Sequence, residues 1–243
     1  MFQPELKPER ELESAPCSVL MLITLPHGGY MQGSQLKALE VVRRVQAFLD
    51  AHVVKLTTTV PVSLRTRIDA VVQQLENGQA EQALAIAMAR VETAKQAEHR
   101  RDAYVRFLRP IGRIANIVFG DSWQLRSLVM SERSTHQPRF LERAALVADV
   151  ASTYPQVFVG HGMPADFVDQ LQLVLDQVRS AGEARDRYEG RQVAATASLK
   201  ASAKYARDIV GLLEVLLTPA LKNDPALLAN WTASKRISES TVA

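Results

Sequence analysis

Three short stretches of the chain carry the residue types and spacing of catalytic loops. Residues 25–29 read "LPHGG", with His27 ahead of two glycines; residues 118–122 read "VFGDS", ending in Asp121 and Ser122; residues 159–164 read "VGHGMP" around His161. An imidazole beside a glycine turn can take or give a proton, and a serine hydroxyl next to such a base can attack a carbonyl. Glycine-rich backbone can aim N–H groups at a developing oxyanion. Acyl transfer is the chemistry these parts would perform.

The first stretch resembles the HGG-type loop of lipases and esterases of the α/β-hydrolase fold, where it follows a strand and supplies oxyanion donors. That resemblance implies a nucleophile on a G-x-S-x-G elbow, and no such pentapeptide occurs in the chain. "GDS" at residues 120–122 resembles the nucleophile block of the GDSL hydrolases. In that family the block lies near the N-terminus and a D-x-x-H block follows near the C-terminus, whereas here it starts at Gly120 and no histidine follows His161. Asp121 and Ser122 read instead as N-caps for a helix over "WQLRSLVM", because a short polar side chain there satisfies free N–H groups. His27 and His161 read as punctuation of glycine turns. No catalytic residue is assigned.

Metal and phosphate chemistry lack their motifs as well. A di-iron bundle needs Glu-x-x-His pairs and a zinc protease needs H-E-x-x-H; neither occurs, and Cys17, the only cysteine, cannot build a thiolate site. G-x-x-x-x-G-K-[ST] and G-x-G-x-x-G are missing too. The expectation is no metal and no cofactor.

Two constellations remain as binding sites. Arg100, Arg101, Arg106, Arg109 and Arg113, interleaved with Tyr104 and Phe107, have the composition of a phosphate-backbone contact surface. Glu98 and Asp102 within the same turns, and a net charge of only +3 from 29 basic and 26 acidic residues, weigh against it. The second is a broken stripe, Leu84, Met88, Val91, Lys95, Glu98, Asp102, Val105, in which charges interrupt an apolar face. If that face points inward, Glu98 and Asp102 need partners such as His52, Arg185 or Lys204, and the layer would form a ligand pocket. Otherwise the helix turns and buries Ala87, Val91, Ala94 and Ala97, leaving the charges in water.

The elements that must position these groups are helices. Leu39, Val42, Val45, Leu49, Val53 and Leu56 mark one amphipathic helix, and Leu64, Ile68, Val71 and Leu75 a second that ends at Asn77 and Gly78. A long helix from Gln79 should stop or kink at Pro110. Residues 109–163 are shorter segments that read as an insert or cap. Phe167, Leu171, Val174, Val178 and Ala181 stripe a helix expected to break near Gly190, and Ala195, Leu199, Ser202, Ala206, Ile209, Leu213 and Leu216 stripe the last long one. Asp224 is the N-cap and Pro225 the first residue of a final short helix. "ENGQAEQALAIAMARVETA", residues 76–94, resembles half of a tetratricopeptide-type repeat, but no second copy follows at its period.

The fold expected is all-α, four long helices in a bundle with several shorter peripheral helices, as one helical domain over residues 1–236 and a polar tail at 237–243. Composition agrees: 47% of residues are apolar and only 6% aromatic, with alanine and leucine plentiful, which suits close helix packing. Whether the apolar runs 18–25 and 157–159 are strands or irregular stays open; either could pack on a partner. One cysteine and no apolar run of membrane-spanning length lead to the expectation of a cytoplasmic protein. By elimination the function expected is a non-enzymatic helical scaffold whose partner is another protein or a second copy. An enzyme or small-ligand binder with a polar pocket inside the bundle is the alternative, and weak nucleic-acid binding through residues 100–113 the second alternative.

Overall fold

A computed structural model describes residues 33–120 and 137–236, and the described residues are all-α. The loop residues His27, Asp121 and Ser122, the apolar run 18–25 and the tail 237–243 lie outside them. The helices are α1 (Gly33–Ala51), α2 (Val53–Leu56), α3 (Val62–Ala103), α4 (Arg109–Phe119), α5 (Gln137–Thr153), α6 (Pro155–Gly160), α7 (Phe167–Ala220) and α8 (Pro225–Lys235), with a π-helical turn at Tyr104–Leu108 between α3 and α4.

Two of these dominate. α3 has 42 residues and α7 has 54, so at ~1.5 Å per residue they are rods of about 63 and 81 Å. The breaks expected at Asn77 and Gly78 and near Gly190 are absent, because α3 and α7 run straight through them. For Gly78 the reason is a close approach: a Cβ there would lie 2.9 Å from Cδ2 of Leu199 on α7. This glycine is a notch for the facing helix rather than a C-cap. Gly190 has open space around its Cα, and neither glycine has a positive φ.

α3 and α7 lie antiparallel. Gly78 faces Leu199, Gln82 bonds Thr196 and Gln96 bonds the carbonyl of Val178, so numbers rise on one helix as they fall on the other. The inward residues of α3 are Leu64, Ile68, Val71, Leu75, Gly78, Gln82, Ala85, Ala89, Glu92, Gln96, His99 and Ala103, an unbroken alternation of four and three. From Phe167 to Leu199, α7 answers with the same alternation through Leu171, Val174, Val178, Ala181, Arg185, Tyr188, Gln192 and Ala195. That spacing keeps one seam facing its partner, as in a coiled coil.

Apolar residues crowd the two ends of the pair and leave its middle. The near lobe packs α1, the first part of α3, the last part of α7 and α8 around Val45, Ile68, Leu75, Leu213 and Trp231. Arg43–Glu76, Gln46–Asp69 and Arg65–Asp50 clip α1 along α3. The Asp224 carboxylate caps α8 by accepting the Leu227 N–H at 3.1 Å, as its sequence position led one to expect. The far lobe packs the end of α3, the π turn, α4, α5, α6 and the start of α7 around Phe107, Ile111, Val147, Phe158 and Phe167. Residues 157–159 belong to the helix α6 and not to a strand, with Phe158 fully buried in this lobe and Val157 and Val159 half-buried.

Pro110 does not end the rod. Proline has no N–H to give and its ring crowds the carbonyl four residues back. The chain widens into the π turn just ahead of it, where the Arg109 N–H bonds the Tyr104 carbonyl, and α4 then continues to Phe119. The extra residue shifts the buried face from Ala103 to Phe107, Leu108 and Ile111.

Candidate functional site

The five residues of the expected pocket are not gathered. Glu98 is exposed, and Asp102, half-buried, pairs with Arg106 on its own helix at 3.0 Å. His52 lies at the near lobe with its ring 4.9 Å from that of Phe48. Arg185 sits mid-rod, paired with Asp186 and Glu189, and Lys204 is exposed beyond Leu199. The physical reason is register: the seam of α3 runs through Ala85, Ala89, Glu92 and Gln96, one position away from the broken stripe. Leu84, at 61% exposure, and Val91 therefore face outward, as do Ala94 and Ala97 of the alternative face.

The polar interior lies elsewhere. Gln82, Glu92 and Gln96 are buried in the middle of the rod. The Gln82 amide donates to the Thr196 hydroxyl at 2.8 Å, and that hydroxyl donates onward to the Gln192 carbonyl. Gln96 reaches the Val178 carbonyl at 3.5 Å, and the Glu92 carboxylate accepts from Lys95 at 2.8 Å. A cross-helix bond at one seam position fixes the pairing register, because a slip would strand its polar atoms. A strict heptad count from Leu64 finds these residues; following only the apolar ones does not.

The arginine stretch falls where the rod enters the far lobe. Arg100 is partly buried, its guanidinium 4.7 Å from the centre of the Phe140 ring on α5, and burial lowers its pKa below the usual range. Arg106 is held by Asp102 and lies over the Phe107 ring. Arg101, Arg109 and Arg113 are exposed and carry no ion pair among the described residues. Residues 96–199 contain thirteen arginines and no lysine, so the cations of this half are all planar forks suited to phosphate or carboxylate. Of the three loop histidines and serines noted in the sequence, only His161 is described; its Nδ1 bonds the Val157 carbonyl at 2.7 Å in the turn after α6.

A third feature lies on the near lobe. An apolar groove of about 300 Å³ opens between the start of α1 and α7, walled by Ala38, Val42, Ala206 and Val210 and rimmed by Lys37, Arg207 and Lys235. Lys235 is paired with Glu214, whereas Lys37 and Arg207 have no partner among the described residues. On the far lobe a polar hollow of about 370 Å³ is lined by Asp149, Ser152, Asp176 and Arg179, with Asp176 and Arg179 paired to each other. Among the described residues no group of three or more histidine, cysteine or acidic side chains is placed to hold a metal ion, and no helix is long and apolar enough to cross a membrane. Comparison of the chain with known protein families, with curated proteins and with solved structures finds no match.

Proposed function

We propose that the chain is a non-enzymatic helical scaffold, a spacer that holds two binding surfaces a set distance apart. The observation that carries this reading is the α3/α7 pair, which joins two apolar cores that have no buried residue in common. Between Leu75 and Ala103 the pair runs about 40 Å at ~1.5 Å per residue. Its interior there is small or polar, so it contributes length and register more than a core. Large apolar side chains stand exposed at both ends, Val215 on the near lobe at 71% and Ile117 on the far lobe at 76%. Partner proteins, or a second copy, are the expected occupants of such ends.

The test is photo-crosslinking in the native host from a reactive group at position 215 or at position 117. The scaffold reading expects each position to join the chain to a polypeptide, with different products from the two ends. Failure to crosslink from either position would favour a small-molecule role.

A second reading rests on Arg101, Arg109 and Arg113, which are exposed and unpaired among the described residues. Three arginines meeting phosphates without reading bases give weak nucleic-acid binding that fades with salt. Gel-shift titrations at rising salt decide it: tight binding that survives high salt would contradict this form of contact.

A further inference from the structure

We propose that residues 19–25 of this same chain, "VLMLITL", seat in the apolar groove of the near lobe and cover it. The walls of the groove are aliphatic and its rim holds two cations, Lys37 and Arg207, with no acidic partner among the described residues. A cover must therefore be apolar along its length and acidic beside it. The chain just ahead of α1 has that pattern. Residues 19–25 are apolar except for Thr24, and residues 1–17 before them carry Glu5, Glu9, Glu11 and Glu13 against Lys7 and Arg10.

Connectivity favours this occupant over any free molecule. The described chain begins at Gly33, and Ser34, the next residue, already lines the groove. Residues 26–33 join the apolar run to that point, and eight residues span up to about 26 Å, ample to double back. A tethered segment meets its site at a high effective concentration, so even modest apolar contact keeps it in place. A cavity of this volume takes two or three aliphatic side chains, which fits a run of seven residues that presents part of itself to the wall.

The experiment uses the full chain. Hydrogen exchange is compared between the native sequence and Leu20→Asp/Leu22→Asp, which leaves every described residue unchanged. Faster exchange at residues 38–42 and 206–210, with none at residues 144–151 of the far lobe, is the expected result. As a converse, a nitroxide on Cys17, the lone thiol, gives broad spectral lines that sharpen in Val210→Asp. Unchanged exchange at the groove wall in the double variant overturns the proposal. So does a doubled mass by light scattering that Val210→Asp abolishes, since a second copy would then be the cover. A lipid-like anion retained by the native protein in mass spectrometry and lost in Val210→Asp overturns it in the same way. The crosslinking reading above uses positions 215 and 117 and stands or falls separately.

Discussion

The Cβ that Gly78 lacks would lie 2.9 Å from Cδ2 and 3.1 Å from Cγ of Leu199, a side chain with 1% of its surface exposed. Alanine at position 78 gains about 1 kcal/mol of helix propensity over glycine, while forcing a buried leucine aside costs about 1–3 kcal/mol. Gly78→Ala should thus destabilise the protein slightly. In a Leu199→Ala background, itself costing about 2–5 kcal/mol, the obstruction is gone and the same substitution should stabilise. Urea denaturation of the four proteins in the cycle checks the reversal of sign.

Gly190 is the control. It lies inside α7, exposed, with nothing within 4 Å of the place a methyl group would take. Gly190→Ala should raise stability by about 1 kcal/mol, visible as a higher Tm. A loss would mean that position 190 bends or touches something in solution.

Glu214 lends the near lobe a pH dependence. Its carboxylate accepts from Lys235, from the Thr218 hydroxyl at 3.1 Å and from the Trp231 indole N–H at 3.0 Å. The Lys235 hydrogen bond is the largest cause that pulls its pKa below the ordinary glutamate value, against an opposing push from burial. A pKa lower in the folded state means stability that is present above the unfolded value, near 4.5, and lost as pH falls through the folded one. Glu214→Gln should flatten the acid limb of the stability curve below that pH. The indole N–H resonance of Trp231 should move over the same range.

Glu92 and Glu98 separate by burial. Glu98 is exposed, so Glu98→Ala should change stability by less than about 0.5 kcal/mol. Glu92 is 8% exposed in the seam, and among the described residues its ion pair is with Lys95 on its own helix. Glu92→Met should raise the Tm, because a thioether there needs no desolvation.

Helix type was legible wherever apolar residues marked a face. Leu64, Ile68, Val71 and Leu75 are buried as their spacing predicts, as are Phe167, Leu171, Val174, Val178 and Ala181. Helix ends were legible at Asp224 and Pro225 but not at the glycines. Asn77 and Gly78 carry the signature of a C-cap, yet a glycine in mid-helix gives the same letters when a facing leucine needs the space. The pocket residues failed for a related reason: in a two-helix rod the buried stripe holds Gln82, Glu92 and Gln96, so hydrophobicity points one position astray. Val53 and Leu216, read as inward, are exposed, because α1 breaks at His52 and the buried stripe of α7 passes through Leu217. Nothing local distinguishes the arginines held by Asp102 or Phe140 from Arg101, Arg109 and Arg113, which have no ion pair among the described residues, since that depends on which helix arrives beside them.

Both ends of the described chain lie in the near lobe, and the Arg44 guanidinium bonds the Arg236 carbonyl at 2.8 Å, tying the last turn to α1. The far lobe is reached only by going out along α3 and back along α7. Tension applied across positions 33 and 236 is therefore carried by the near lobe alone. The polar rod would unzip pair by pair once that lobe gave way, and the far lobe would feel no load until the last pair opened. In an optical trap this gives one high-force rip, a sloping low-force stretch and a second rip, in that fixed order.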